Sequence, residues 1–377
     1  MPNIEDQVRA ALAGVQDPEI RRPITELGMV KGVLVGADGA VTVQVWLTVA
    51  GCPLRDTIIR DVTAAVADLP GVRSVAVELD VMGDEQRRAL QESLRGGAPA
   101  NEIPFAQPTS LTRVYAVASG KGGVGKSSVT VNLAAALAAR GLAVGVVDAD
   151  IYGHSVPRML GATGQRPTPV EQMIMPPVAY GVKLISIGMF TAGNTPVVWR
   201  GPMLHRALQQ FLADVWWGDL DVLLMDLPPG TGDIAISVAQ LVPGAEILVV
   251  TTPQQAAAEV AERAGAIALQ THQQVVGVVE NMSWLELPDG SRMEVFGTGG
   301  GTAVAQALST ALGTSVPLLG QIPLDTRLRE AGDAGAPLVL TAPDTPAAQA
   351  LTAVADRLAA RQRGLAGRSL SLTPVRH

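Results

Sequence analysis

The residues with the most chemical potential lie in one short stretch, Ser119-Gly120-Lys121-Gly122-Gly123-Val124-Gly125-Lys126-Ser127-Ser128. Gly120, Gly125, Lys126 and Ser127 meet the spacing G-x-x-x-x-G-K-[ST] of a phosphate-binding loop. Each residue type answers a physical need. Glycines let successive backbone N–H groups turn toward one anion. A helix starting just after the loop adds positive potential where the phosphates sit. Lys126 has the length to reach the β- and γ-phosphates of ATP, and the Ser127 hydroxyl is a ligand for Mg2+. The whole run Gly120–Ser128 is therefore the candidate nucleotide cradle, with Lys121 as an unusual second cation in it.

Carboxylates follow at two places. Ala143–Val147 is an apolar run closed by Asp148-Ala149-Asp150, and Val222–Met225 is closed by Asp226. An acidic residue at the end of a strand beside a phosphate loop can hold the Mg2+ shell or orient an attacking water. Either one alone reads equally well as the cap of a following helix. Asp226 opens the segment Leu227-Pro228-Pro229-Gly230-Thr231-Gly232-Asp233, whose glycines suit a part that moves with the γ-phosphate. The one thiol is Cys52, within Gly51-Cys52-Pro53. It reads either as a transient metal ligand or as a small buried residue at a strand-to-helix turn. The histidines, His154, His205, His272 and His377, have no metal-ligand spacing. Trp199–Met203 reads as an interaction surface or as a plain turn into a helix, and Trp216-Trp217 as core.

Positioning such groups takes strands that end together. Candidate buried strands are Val114–Ala118, Ala143–Asp148, Val182–Ser186, Val222–Asp226, Glu246–Thr251, Gln274–Glu280 and Leu318–Ile322, with helical patterns between most of them. That alternation predicts an α/β fold with a doubly wound, mostly parallel sheet. Residues 1–95 carry a separate pattern: helix Ile4–Val15, strands Gly28–Val35 and Val41–Thr48, helix Leu54–Leu69, strand Val72–Leu79 and helix Asp84–Leu94. This is a small N-terminal α/β domain. A Gly/Pro-rich linker over 96–111 separates it from the larger domain, 112–362, and a polar tail covers 363–377.

Composition sets outer limits. Hydrophobic residues at 47% against 17% charged provide for a large core. A net charge of −7 argues against nucleic acid as the main partner, since phosphate neutralisation supplies most of that affinity. No apolar stretch is long and uninterrupted enough for a membrane span. The acidic start, with no apolar core behind it, reads as no signal peptide, so a cytoplasmic protein is expected.

The loop with its extra Lys121 resembles the deviant Walker A loop of the MinD/ParA/NifH class of ATPases. Within that class the chain resembles the Mrp/ApbC branch of ATP-binding iron–sulfur cluster carriers. The likeness includes Asp148-Ala149-Asp150-Ile151-Tyr152-Gly153, Trp199-Arg200-Gly201-Pro202-Met203, Asp226–Asp233 and Glu280-Asn281-Met282-Ser283. The N-terminal domain resembles the small SufT-like domain, through Asp17-Pro18-Glu19, Glu26-Leu27-Gly28 and Thr48–Pro53. This resemblance implies that ATP is hydrolysed in a homodimer, with Lys121 reaching the partner's nucleotide. It implies that Asp150 orients water, that Asp148 lies close to Mg2+, and that Asp226 holds it with Ser127. Asn281 would bind adenine, with Pro323 and Asp325 lining the base pocket. The cargo would be an iron–sulfur cluster delivered to apo-proteins. The chain departs from the branch where a Cys-x-x-Cys pair is usual: Trp284–Arg292 contains no cysteine, which leaves Cys52 as the only thiolate. Two further readings stay open: a nucleotide-switched assembly factor without its own cluster, and a MinD- or ParA-like spatial organiser.

Overall fold

The computed structural model describes residues 3–18, 20–48, 55–95, 102–150, 153–190, 201–230, 233–254 and 257–360. The chain opens with α1 (Ile4–Leu12), capped by the Asn3 side chain, which accepts from Glu5 N at 2.6 Å. It continues through β1 (Val30–Val35), β2 (Ala40–Leu47), α2 (Arg55–Ala67), β3 (Ser74–Val81) and α3 (Asp84–Arg95). β2 is central, antiparallel to β1 and parallel to β3. Its period-2 pattern turns Val41, Val43, Val45 and Leu47 into a core shared with Ile58, Val62 and Val66 of α2.

The larger unit begins with β4 (Arg113–Ala118), α4 (Lys126–Ala139), β5 (Val144–Asp148) and the short α5 (Val156–Met159). A small hairpin, β6 (Thr168–Val170) with β7 (Met173–Met175), then belongs to the first compact unit, as does Asp214–Gly218. Val170 and Met175 join the core of that unit, and Arg87 of α3 pairs with Glu171 at 3.2 Å. β8 (Val178–Ala179), β9 (Val182–Ser186), α6 (Gly201–Ala213), β10 (Val222–Asp226), α7 (Asp233–Leu241), β11 (Glu246–Thr251) and α8 (Ala257–Thr271) follow. The chain completes the unit with β12 (Val275–Glu286), β13 (Arg292–Met293), α9 (Gly300–Leu312), β14 (Leu318–Leu324), α10 (Thr326–Ala334), α11 (Leu338–Thr341) and α12 (Pro346–Ala360).

The large sheet runs β13-β12-β11-β4-β10-β5-β9-β8, with β14 also beside β12. Only the pairs at its ends, β12 with β13 and β8 with β9, are antiparallel. The expected doubly wound, mostly parallel α/β fold is what forms. Alternation along the strands explains the two helical layers. Tyr115 and Val117 of β4 and Leu248 and Val250 of β11 join a core with α4 and α12. The intervening Ala116, Ala118, Ile247 and Val249 face Ala235 of α7 and Ala264 and Ile267 of α8 across a small cavity. α4 is apolar nearly all round and buried from Lys126 to Leu137 except at Ser127 and Ser128, as a central helix must be.

One strand differs from its expectation by more than two residues. β12 runs past Glu280 to Glu286, because Leu285 and Glu286 find partners in β13 and Leu285 also pairs with Leu324 of β14. The continuation is hidden in the sequence because the ladder slips at Asn281, where Met282 takes φ +59°.

Candidate functional site: a phosphate loop against strand-end carboxylates

β4, β5 and β10 are adjacent and parallel, so their C-terminal ends share one edge of the sheet. The loop leaving β4 turns through Gly123 and Gly125, both at φ +79°, and α4 starts directly after Gly125. At Gly125 the positive φ disfavours any side chain, and a Cβ there would lie 2.2 Å from Asn281 Nδ2, so Asn281 would have to shift. The loop is braced from outside. Arg263 Nη1 donates to Gly120 O at 3.2 Å, and Gly230 N, four residues past β10, donates to Ser119 O at 2.9 Å.

Asp226 is the fully buried centre of the site. Its Oδ1 forms an ion pair with Lys126 Nζ at 2.6 Å and accepts from Thr130 Oγ1 at 3.0 Å, while Oδ2 accepts from Ser127 Oγ at 2.6 Å. Asp148 stands beside it in register on β5, also fully buried. Its carboxylate accepts from Asp150 N, Val156 N and Ser186 Oγ, each at 3.2 Å. Burial, and then the neighbouring charge of Asp226, push the Asp148 carboxyl up to about 8 against those hydrogen bonds. Two strand-end carboxylates thus behave differently, one paired with a lysine and one held as a neutral acid.

Asp150 is half-buried and accepts from Gly153 N at 3.0 Å. The second lysine, Lys121, donates to Gln254 Oε1 just past the end of β11. Asn281 Nδ2 donates to Val124 O at 2.9 Å, and its buried Oδ1 has no partner among the described residues. Ser128 lies in the first turn of α4, its carbonyl accepting from Asn132 Nδ2 at 2.9 Å. Asp325 caps α10 and takes a two-pronged bond from Arg327, and Pro323 is buried just before it. Cys52 lies outside the described residues, as do Trp199 and Arg200, while Met203 is exposed on α6.

The residues fit a magnesium nucleotide. Positive-φ glycines and the start of α4 form an anion cradle. Ser127 Oγ and Asp226 Oδ2 are hard oxygen donors converging beside it, the donor type Mg2+ takes. The unpaired Asn281 Oδ1 offers an acceptor to an amino group of a base. Three participants had no place in the reading of the sequence, Thr130, Gln254 and Arg263, and Glu280 entered it only as part of a strand and of the segment Glu280–Ser283. Only Thr130 carries a local signal, one helical turn after Lys126 on the same face. Glu280 accepts from Ser283 Oγ at 2.8 Å, Gln321 Nε2 at 2.7 Å and Gly301 N at 2.5 Å, locking the strand that carries Asn281.

A phosphate loop at the carboxyl edge of a parallel sheet, faced by strand-end carboxylates, defines a P-loop NTPase. Residues 110–359 match the family model described as the NUBPL iron-transfer P-loop NTPase, and residues 5–79 match that of an iron–sulfur cluster assembly protein. The chain belongs to the NUBPL iron-transfer P-loop NTPase family. It is 69% identical over 369 residues to the iron–sulfur cluster carrier protein of Mycobacterium tuberculosis, covering 98% of this chain and 97% of that one. Identity to the carrier protein of Deinococcus radiodurans is 44% over 373 residues, 98% of each chain. Among solved structures, a nucleotide-binding protein of Archaeoglobus fulgidus in complex with ADP matches at 34% identity and a TM-score of 0.51. That match covers 61% of this chain and 92% of the other. The resemblance read from the motifs is borne out at the level of the family.

Proposed function

We propose that this protein is an ATP-hydrolysing iron–sulfur cluster carrier that delivers its cargo to apo-proteins. The observation that carries the proposal is the near-complete alignment with relatives named as carriers, through both the NTPase region and the small N-terminal region. In this reading residues 112–362 are the ATPase domain, residues 1–95 are the small domain, and 96–111 links them. The active form is a homodimer working in the cytoplasm.

Lys126 leaves Asp226 to bind the β- and γ-phosphates. Ser127 and Asp226 would hold Mg2+, which would offset the negative charge of the phosphates, with Asp148 behind them as a neutral neighbour. Asp150 orients the attacking water. Lys121 leaves Gln254 to meet charge developing on the partner's nucleotide. Asn281 presents Oδ1 to adenine. Cys52 is the thiolate that this chain contributes to the cargo.

A second reading rests on one observation. The sequence has a single cysteine, and Trp284–Arg292 has none. Arg292 stacks on the ring of Trp284 at 4.0 Å, in the stretch where the resemblance would place a Cys-x-x-Cys pair. Under that reading the ATPase switches the grip on a client without holding a cluster itself. Anaerobic reconstitution separates the two. Iron and sulfide are counted per chain for the wild type and Cys52→Ser, and transfer to an apo-protein is followed. The carrier reading expects bound iron in the wild type and its loss in Cys52→Ser. A wild type that holds and donates no iron in any nucleotide state supports the second reading.

A further inference from the structure

Thr130 lies in the second turn of α4 and is fully buried. Its Oγ1 is 3.0 Å from Lys126 O and 3.0 Å from Asp226 Oδ1. A threonine hydroxyl has one hydrogen, and both neighbours are acceptors. The ionised carboxylate is the stronger acceptor, so the proton lies toward Asp226. The threonine is thereby more than a helix residue bonding its own backbone.

The arrangement divides the two oxygens of Asp226. Oδ2 faces Ser127, where Mg2+ is proposed to bind, and Oδ1 is held by Lys126 and Thr130. Nucleotide binding draws Lys126 away to the phosphates. Among the described residues, the only donor then left on Oδ1 is Thr130. We infer that Thr130 is the positioning residue that keeps the Asp226 carboxylate oriented toward the metal once Lys126 has moved. Without it Oδ1 has no donor and the carboxylate is held only through the Ser127 bond to Oδ2, in a fully buried site, just when its orientation matters. Outer partners of metal-binding carboxylates commonly govern affinity by about 10- to 100-fold.

The inference rests on the proposed role of Asp226 in holding Mg2+, and the test keeps the two apart. ADP binding to the full chain is titrated with EDTA present and then at rising Mg2+, for the wild type, Thr130→Val, Thr130→Ser and Asp226→Asn. Thr130→Val keeps the shape and removes the hydroxyl. It is expected to raise the Mg2+ concentration for half-maximal tightening about tenfold, with the EDTA affinity within about twofold of wild type. Thr130→Ser is expected to retain wild-type behaviour. A merely structural role would lower affinity equally with and without Mg2+. That result overturns the inference, as does a Thr130→Val curve matching wild type or a Thr130→Ser curve matching Thr130→Val. If Asp226→Asn leaves the Mg2+ requirement unchanged, the role of Asp226 itself falls and takes this inference with it. A shift in Asp226→Asn alone refutes only the role of Thr130. Should Thr130→Val not fold, Thr130→Cys replaces it, being of similar size and only a weak donor, with the same shift expected.

Discussion

Lys126 is 6% exposed and its partner Asp226 is fully buried, so neither charge has water to fall back on. Removing one partner of such a pair strands the other. Lys126→Ala is therefore expected to abolish nucleotide binding and also to lower the stability of the nucleotide-free protein by about 3 kcal/mol. Calorimetric titration and urea unfolding check the two parts separately. Asp148 offers a pH test. In the folded chain it keeps its proton to about pH 8, whereas unfolded it releases it near its ordinary value of 3.8. Between those values the unfolded chain binds fewer protons. Its contribution to stability is thus full below the unfolded value and is lost as pH rises through the folded one, at up to about 1.4 kcal/mol per pH unit. Asp148→Asn should flatten the pH dependence of stability between about pH 4 and 8, measured as denaturant midpoints. An unchanged slope would mean that Asp148 is ionised in the native protein.

Elements differ in how plainly the sequence announces them. β5 and β10 are buried along their whole length, so they read as unbroken apolar runs ending in Asp148 and Asp226. The phosphate loop is legible because its chemistry is local: strand, glycines, lysine, helix. What stayed hidden depends on distant pairing. The continuation of β12 through Met282 needs β13 and β14 for its hydrogen bonds. The bond from Thr130 to Asp226 spans 96 residues. The small unit hides most, because β6, β7 and the stretch Asp214–Gly218 complete it from far along the chain. Three-residue strands carry too little pattern to be recognised. Met175 on β7 is 2% exposed in that core, so Met175→Ala should destabilise the unit by about 2–4 kcal/mol. Hydrogen exchange is the measure: amides of β1, β2 and β3 should lose protection. Unchanged protection there would show that the hairpin contributes nothing to this core.

At the scale of the whole molecule, the question is what the second lysine does. Among the described residues no helix is long and apolar enough to cross a membrane, and a net charge of −7 opposes phosphate backbones. In the single chain Lys121 is held by Gln254, outside the cluster formed by Lys126, Asp226 and Ser127. If its role is in trans, a dimer divides each active site between two chains, and defects should complement. Lys121→Ala keeps an intact phosphate loop and lacks the donated cation. Lys126→Ala cannot use its own loop and still carries Lys121 for a partner. Each variant alone should turn over ATP far more slowly than wild type, the first while still binding it. Mixed in equal amounts, half of the randomly formed dimers pair the two, and each such dimer owns one complete site. The mixture should recover up to about a quarter of the wild-type rate, a value set by the twofold symmetry of the assembly. A mixture no faster than its separate components would place Lys121 in the service of its own chain's nucleotide and remove the argument for shared catalysis.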